Sequence, residues 1–413
     1  MRRGEVWWAE LGPPAGGRPV VLLSRNEAYA VRDFVIVAPV TTPAAVTQVD
    51  GLTSMLGYVD MVRVIDEQPK DLAEYGLTDP RIRIDFKTVG ETAFGGLLIG
   101  RKTPTGENLY AKRTDQDRVL LIGAHQESSL SRTTFDLRDK TVLTVRRDQV
   151  DAIEISVSGE RLGFKKDADR WTMVSPVAAR ADFGAVDGLI GSIETAQMKS
   201  VVSDTEPTPT ALRSYGLDRP SVTAAIGFGS ARATLLLGKE ASADTFYAKD
   251  LSKTTVMTVE KLLADDLKKQ ADTYRRKEVF ESQASAVTRA EFTRNGQTIV
   301  LERAKGEGAN AQDSWRRLGP NPGEVDKDRV ETLLAQLAES RALAFTATTA
   351  NTGLRAPAMT VLVKFDGGSK EERVSFGRNA SDVYASRPDE PGALKIEAAK
   401  LDKAIETLDA LSK

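Results

Sequence analysis

The heptapeptide SYGLDRP at residues 214–220 recurs as EYGLTDP at 74–80 and, in a weaker form, as NTGLRAP at 351–357. Their central glycines are Gly76, Gly216 and Gly353, so the copies lie 140 and 137 residues apart. This period is much longer than the roughly 20 to 45 residues of a solenoid repeat. It indicates duplicated domains, each with its own small core.

The same series of strand-like segments follows each heptapeptide: an alternating apolar run, a strand that ends in glycine, and a strand with a tyrosine. In this order the segments are RIRIDF, SVTAAIGF and MTVLVKF, then LLIG (97–100), LLLG (235–238) and VSFG (374–377), then LYAK (109–112), FYAK (246–249) and VYAS (383–386). Tyr-Gly-Leu before a proline predicts a helix end with glycine in the left-handed C′ position. The glycine that closes LLIG or LLLG predicts a hairpin turn with positive φ. Gly238-Lys239 is interpreted as such a turn, because the glycine spacing of a phosphate-binding loop is missing before it.

A longer match precedes the second and third copies. Residues 150–176 and 287–320 both read as strand, turn, strand, loop, strand, with Trp171 and Trp315 in equivalent places. We expect both indole rings to fill a core. A helix follows each match, because apolar residues recur at the i, i+3, i+4, i+7 spacing of one helix face. These residues are Val186, Leu189, Ile190 and Ile193 in one copy and Val330, Leu333, Leu334 and Leu337 in the other.

The repeats predict an α+β fold of tandem units, with mostly antiparallel sheets and flanking helices. We place repeat 1 at residues 43–144, repeat 2 at 145–280 and repeat 3 at 281–413. VDGLTSML starts at Val49 and repeats the VDGL of 186–189. Repeat 1 is therefore predicted to lack the first half of the unit.

The composition excludes several kinds of site. The chain has no cysteine, which removes disulfides, thiolate metal ligands and cysteine nucleophiles, and it has a single histidine, His125. His125 stands in the polar segment GAHQESS and is predicted to be a solvated loop residue, since no nucleophile motif is near it. Lys and Arg number 57 against 59 Asp and Glu, so no net field favours nucleic acid. We expect neither a metal nor a cofactor.

The sequence also bears on location. No run of 18 apolar residues is present, so no membrane-spanning helix is predicted. The N-terminal arginines are not followed by the apolar segment of a secretory signal. As written, the sequence predicts a cytoplasmic protein.

The segments W…P…AD…VDGLI…YGLDRP…LLLGK…YAK…RRKEV, with LRDKTV at 137–142 closing repeat 1, together resemble the domain-of-unknown-function family 4340. The resemblance covers about residues 43–413. It implies envelope proteins with one N-terminal transmembrane helix and an extracytoplasmic domain, whose genes often neighbour an ABC transporter, so the location stays open between this and the cytoplasm. The partners that it implies are ABC-transporter membrane components or other envelope proteins. It brings no established catalytic residues, and this sequence departs from the family in lacking the anchor helix.

The first 42 residues follow a different pattern. RRGEVWWAEL, GRPVVLLSRN and FVIVAPVTT read as three strands, and they resemble the start of MazF/PemK endoribonuclease toxins. The resemblance implies a partial SH3-like β-barrel segment at 1–42. It also implies metal-independent cleavage of single-stranded RNA, with an antitoxin as a second partner.

The toxin resemblance carries two catalytic positions over to this chain. They are Arg18, in the R-P-V motif, and Thr41, at the end of the third strand. In such a mechanism the arginine stabilises charge on a phosphorane-like transition state, the hydroxyl orients the phosphate, and the RNA 2′-OH attacks. Further phosphate contacts would come from Arg2, Arg3 and Arg25.

Two functions remain open. The first is a non-enzymatic repeat protein that serves as an accessory component of an ABC-type transport system in the cell envelope. The second is a MazF/PemK-type endoribonuclease with a large appended repeat region. We favour the first, because the later strands and helix of a toxin barrel are not found after Thr42, and residues 1–42 carry five arginines against four acidic residues. A third interpretation is that a rearrangement or a gene-assembly error joined the two pieces, since the junction near 43–49 cuts through a repeat.

Overall fold

A computed structural model of the protein describes residues 6–11, 16–22, 37–39, 43–86, 95–306, 313–319 and 321–412, with the side chains of those from 49 to 411. The chain divides into two compact units, residues 1–140 and residues 141–413. Among the described residues, the strands form four sheets, and every strand pair is antiparallel. No helix in this part of the chain combines the length and the apolar character needed to cross a membrane.

The unit 1–140 holds a three-stranded and a five-stranded sheet. The first consists of β1 (Val6–Leu11), β2 (Gly16–Leu22) and β3 (Val37–Pro39), in that order. The second consists of β4 (Met61–Asp66), β5 (Ile82–Phe86), β6 (Gly95–Lys102), β7 (Asn108–Arg113) and β8 (Val119–Gly123). Its order is β4-β8-β7-β6-β5. Helix α1 (Pro43–Gly57) precedes this sheet and the short α2 (Glu127–Leu130) follows it.

The unit 141–413 holds two nine-stranded sheets. The strands of the first are β9 (Ala152–Val157), β10 (Glu160–Asp167), β11 (Arg170–Ser175), β12 (Ala179–Arg180), β13 (Met198–Ser203), β14 (Val222–Phe228), β15 (Ala231–Ser242), β16 (Thr245–Asp250) and β17 (Val256–Glu260). Its helices are α3 (Phe183–Glu194), α4 (Pro209–Tyr215) and α5 (Lys261–Leu267). The strands of the second are β18 (Val287–Arg294), β19 (Gln297–Ala304), β20 (Ser314–Gly319), β21 (Gly323–Val325), β22 (Ala342–Thr346), β23 (Met359–Phe365), β24 (Lys370–Asn379), β25 (Asp382–Ser386) and β26 (Ala393–Ile396). Its helices are α6 (Lys327–Ala338) and α7 (Ala398–Ser412).

The two nine-stranded sheets share one strand order. It is β12-β11-β10-β9-β14-β15-β16-β17-β13 in the first and β21-β20-β19-β18-β23-β24-β25-β26-β22 in the second. The five-stranded sheet reproduces the half of this order that runs from β14 to β13. The predicted α+β fold of tandem, mostly antiparallel units is therefore confirmed. The boundaries that we placed after residues 42, 144 and 280 stay a prediction.

The two tryptophans occupy the same register. Trp171 on β11 lies opposite Lys166 of β10, and Trp315 on β20 lies opposite Arg303 of β19. Both strand pairs also have a register shift at their other end. The exposed fractions of the two tryptophans are 5% and 0%. Each cation lies over the ring that it faces, with the Lys166 Nζ 6.0 Å and the Arg303 guanidinium 5.2 Å from the ring centroid. Both rings fill a core, as predicted.

The predicted helices are α3 and α6. Asp182 and Asp326 precede them, and each side chain accepts a hydrogen bond from a first-turn amide, that of Ala185 at 2.8 Å and that of Arg329 at 3.2 Å. Such a cap satisfies one of the amides that a helix start leaves without a partner. All eight apolar positions predicted on the two helices are buried. The 3.6-residue period was therefore a sound guide to the core.

The Tyr-Gly-Leu glycines have the predicted left-handed backbone. Their φ angles are +67° at Gly76, +69° at Gly216 and +73° at Gly353. Gly216 ends α4, and its amide donates to the Arg213 and Leu212 carbonyls. Glycine fits here because other residues pay a steric penalty at positive φ.

The prediction of a hairpin turn after LLIG and LLLG is wrong. Gly100 and Gly238 lie inside β6 and β15, and neither has a positive φ. A methyl group at Gly238 would overlap the carbonyl oxygen of Tyr215, and one at Gly100 would overlap that of Tyr75. These strand glycines are needed because the Tyr-Gly-Leu backbone packs directly on the strand.

The repeated tyrosines and lysine belong to the same local structure. The rings of Tyr215 and Tyr247 contact each other with centroids 4.7 Å apart. The Lys249 Nζ donates to the carbonyl oxygens of Asp250 and Lys253 in the turn that follows β16. The shared residues are thus occupied in packing against one another, which is the structural role predicted for them.

Candidate functional site

A cleft of about 920 Å³ opens between the two nine-stranded sheets. The β10–β11 hairpin and residues 178–184 line it from the first sheet, and residues 365–372 and 387–389 line it from the second. The connection 276–281 joins the two sides. We call this feature the inter-sheet cleft.

Charged side chains of both signs line the inter-sheet cleft. Eight are acidic and five are basic: Asp167, Asp169, Asp182, Glu278, Glu281, Glu371, Glu372 and Asp389, and Arg170, Arg180, Arg276, Lys370 and Arg387. Aromatic surface is present as well, since Phe183 lines the cleft with 55% of its surface exposed. Which charges remain open to a partner depends on how they pair with one another.

The backbone of the connection is held by the first sheet. The Arg276 amide donates to the Arg180 carbonyl at 2.9 Å, and the Asp182 amide donates to the Tyr274 carbonyl at 2.7 Å. These bonds extend the sheet with one further bridge, between Ala181 and Arg275. The segment before α3 therefore fixes where the second sheet begins.

Arg180 forms the centre of a buried ionic group. Its Nε donates to the Glu390 carboxylate, and its Nη2 donates to the Glu278 carbonyl oxygen at 2.9 Å. The Glu390 side chain is 3% exposed and is also approached by Arg275, whose Nη2 lies 3.6 Å from a carboxylate oxygen. The Arg275 guanidinium lies 3.8 Å from the ring centroid of Phe345. A salt bridge between residues 180 and 390 thus ties the two sheets together.

Arg387 and Glu372 form a second buried pair, with side chains 5% and 3% exposed. The Arg387 Nη1 donates to the Glu372 carboxylate at 2.8 Å and to the Val279 carbonyl at 3.1 Å. The carboxylate also accepts from the amides of Glu281 and Ser282, both at 2.9 Å, and from the Ser282 hydroxyl. Burial raises the pKa of the Glu372 carboxyl, but these hydrogen bonds outweigh it and hold the pKa below its ordinary value of 4.5. Glu372 is therefore a charged anchor for the connection.

The chemistry of the cleft follows from this pairing. Its buried ions form pairs that link the two walls, although among the described residues the Arg180 Nη1 and the Arg275 Nε and Nη2 have no hydrogen-bond partner. Asp167, Asp169 and Arg170 are exposed on the β10–β11 hairpin, beside the exposed Phe183. Within the described residues, no group of three or more His, Asp or Glu side chains is arranged to hold a metal ion. The arrangement suits recognition of a partner that carries both charge and apolar surface.

A family model described as Domain of unknown function (DUF4340) matches residues 35–172 and again residues 171–357. The chain belongs to the DUF4340 family. A second model, described as PemK-like, MazF-like toxin of type II toxin-antitoxin system, matches residues 2–53 of this DUF4340 protein. Both sequence resemblances are therefore confirmed, and the two matches overlap over residues 35–53.

The remaining comparisons add no information on function. No curated protein matches the DUF4340 chain. Among solved structures, a DNA polymerase sliding clamp from Pseudomonas aeruginosa aligns over 86% of this chain and 97% of its own, with 7% identity and a TM-score of 0.15. A likeness at that score supports no inference.

The structure places only part of the toxin-like site of this DUF4340 protein. The backbone of Arg18 lies in β2, opposite Ala9 of β1. Thr41 lies outside the described residues, so the predicted pairing of Arg18 with Thr41 stays a prediction. His125 is exposed in a short helical turn, as expected for a solvated residue.

Sequence reasoning missed the ionic residues of the cleft. Arg180 and Glu390 are 210 positions apart, and no motif marks either of them. A usable signal was the departure from the repeat: SRPDEPG at 386–392 replaces the KDLSKTT of 249–255, directly after the shared tyrosine strand. Charges confined to one copy of a DUF4340 repeat are candidates for contacts between copies.

Proposed function

We propose that this DUF4340 protein acts by binding rather than by catalysis, and that the inter-sheet cleft receives a protein partner. The observation that carries the proposal is the pairing of the buried charges, which builds rigid walls around an exposed rim. Rigid walls favour binding, because little ordering entropy is lost when the partner arrives. Phe183 and Arg170 provide the aromatic and guanidinium groups that are enriched at protein interfaces.

The proposed partner is a membrane component of an ABC-type transport system in the cell envelope. Support for this choice comes from the family resemblance, in which related genes neighbour such transporters. A partner segment of mixed charge with an apolar side chain would complement the rim, where Asp167 and Asp169 stand beside Arg170 and Phe183. The chain would then serve as an accessory component of the transporter.

A co-purification experiment tests this function. The tagged full chain is co-expressed with the ABC permease and ATPase subunits of its own genome and isolated in detergent. Phe183→Asp places a charge on the cleft rim, and Leu251→Asp is the matched control, since Leu251 is 60% exposed and is not a cleft residue. We expect the permease to be retained by the wild-type chain and by Leu251→Asp, and to be lost from Phe183→Asp. A permease that never associates, or one that both variants retain equally, contradicts the proposal.

RNA cleavage is the second candidate function, and a specific observation favours it. The toxin family model matches residues 2–53, and Arg18 stands within this match on a strand of an antiparallel sheet. An arginine so placed would stabilise a phosphorane-like transition state if Thr41 oriented the phosphate. Against this candidate, the chain continues from Pro43 as helix α1 and then as the five-stranded sheet of the repeat.

A further inference from the structure

Strand β5 lies at the edge of its sheet, whereas the equivalent strand of each complete repeat is covered by a further strand. Its counterparts β14 and β23 each pair on their outer side with an antiparallel strand, β9 and β18 respectively. In that pairing Ala224 lies opposite Ile155, and Val361 lies opposite Phe292. Within the part of the chain that the structure describes, no strand lies on the outer side of β5.

The uncovered edge leaves apolar side chains less buried than their counterparts in the complete repeats. Val222, Ala224 and Ile226 of β14 are all 0% exposed. The equivalent residues of β5 are Ile82 and Ile84, which are only half-buried, and Phe86, which is 38% exposed. An uncovered edge with partly exposed apolar side chains is a template for pairing with another strand.

Backbone groups at this edge are oriented for a partner as well. On the inner side, the Thr114 amide just after β7 donates to the Gly96 carbonyl of β6 at 2.9 Å, in register with the pairing of Leu97 and Arg113. Amides alternate between the two sides of an antiparallel strand. Leu97 therefore faces β5 and bonds its partner Ile84, so the amides and carbonyls of the neighbouring Arg83 and Asp85 point to the open edge.

We propose that the edge of β5 pairs with β5 of a second copy of this chain, in an antiparallel arrangement about a two-fold axis at Ile84. The sequence Ile82-Arg83-Ile84-Asp85-Phe86 is complementary to itself in this register. Ile84 lies opposite Ile84 of the second copy, Arg83 opposite Asp85, and Ile82 opposite Phe86. Opposite charges and apolar pairs across neighbouring strands stabilise a sheet.

The strand that fills this position in repeat 2 supports the choice of occupant. Strand β9 begins Ala-Ile-Glu-Ile-Ser, with Ile153 and Ile155 buried and Glu154 between them. Strand β5 has the same alternation of apolar and charged residues. The β5 strand of a second copy therefore resembles the strand that pairs at the equivalent edge of repeat 2. The two five-stranded sheets would join into one sheet of ten strands. An isologous contact of this kind closes as a dimer.

Sedimentation analysis of the full chain tests the dimer and its register. Arg83→Asp places two acidic side chains on β5, and Asp85→Arg places two basic ones there. In a homodimer of either variant like charges lie opposite each other, whereas an equimolar mixture restores opposite charges in every pair.

We expect the wild-type chain to dimerise at concentrations up to about 100 µM, a range suited to a small interface. We expect each charge variant alone to be monomeric, and the mixture of Arg83→Asp with Asp85→Arg to form a heterodimer. Recovery in the mixture shows that both variants are folded and that the charges meet between copies. A wild-type chain that stays monomeric overturns the proposal. So does a charge variant that dimerises alone, or a mixture that remains monomeric.

Discussion

Replacement of Glu372 by glutamine should selectively destabilise the unit 141–413. The wild-type carboxylate accepts four hydrogen bonds, from two backbone amides, the Ser282 hydroxyl and the Arg387 guanidinium, at a side-chain exposure of 3%. Glutamine has one acceptor oxygen, and its amide group must face donors. It also leaves the buried Arg387 with only Asp389 as a counter-ion. Breaking a buried ion pair by removing one charge costs about 3–5 kcal/mol, and we expect Glu372→Gln to fall in that range.

The pH dependence gives a second test of the same residue. The pKa of Glu372 is held below its ordinary value of 4.5 in the folded chain. Its contribution to stability is therefore fully present above the unfolded pKa and is lost as the pH falls through the lower folded pKa. The stability difference between the wild type and Glu372→Gln should be constant near neutral pH and should shrink below about pH 4.5.

The assay is urea unfolding of the full chain, followed by tryptophan fluorescence and by circular dichroism. Glu371→Gln is the matched control, because Glu371 is the neighbouring residue, is exposed, and lies 3.7 Å from Lys364 in a surface ion pair. Surface changes of this kind usually alter stability by less than about 0.5 kcal/mol. If Glu372→Gln is no more destabilising than Glu371→Gln, the buried pair does not anchor the connection and our account of the cleft is refuted.

Three further changes test the packing of the repeats. Trp171→Ala should cost about 3–5 kcal/mol, the range for deleting a buried aromatic ring, and a loss below about 1 kcal/mol in urea unfolding would show that the ring is not part of a core. Gly238→Ala should cost about 1–3 kcal/mol of stability in thermal melting, because its methyl group meets a backbone carbonyl. Gly188→Ala is the control at an open site in α3, and it should stabilise the chain by about 0.5–1 kcal/mol. Equal effects of the two variants would disprove the close approach at Gly238. Burial raises the pKa of Tyr274 to about 12, so stability should fall as the pH rises from about 10 towards 12, and an alkaline titration of Tyr274→Phe that shows the same fall would assign it to another group.

Much of the fold could be predicted from the sequence, because it depends on local sequence patterns. The apolar spacing from Val186 to Ile193 identified the buried face of α3, and the Gly216 that ends α4 was assigned its left-handed backbone correctly. Gly238 was assigned to a hairpin turn because a sequence does not reveal which distant backbone approaches a strand. The repeated glycine was correctly identified as a structural residue, but the hairpin turn predicted to require it was wrong.

The candidate site could not be predicted from the sequence in the same way. Its walls depend on Arg180 and Glu390, which come from different repeats and form no local pattern. Comparison of the repeats does not reveal such contacts, because it identifies the residues that the copies share and these contacts use residues that differ between copies. Arg387 lies in the segment where repeat 3 stops following repeat 2, and only the structure shows that it anchors the connection through Glu372.

We propose that this DUF4340 protein works by binding and not as a ribonuclease. The most direct test is incubation of the purified full chain with fluorogenic single-stranded RNA substrates that cover many short sequences. Arg18→Ala is the control, and growth is followed in cells that express each chain. Cleavage requires the phosphate to be held with sub-ångström precision, and small misplacements cost orders of magnitude in rate. We predict no cleavage and no growth arrest with either chain. Cleavage by the wild type that disappears in Arg18→Ala would contradict the account and would identify an active toxin with a repeat-domain extension.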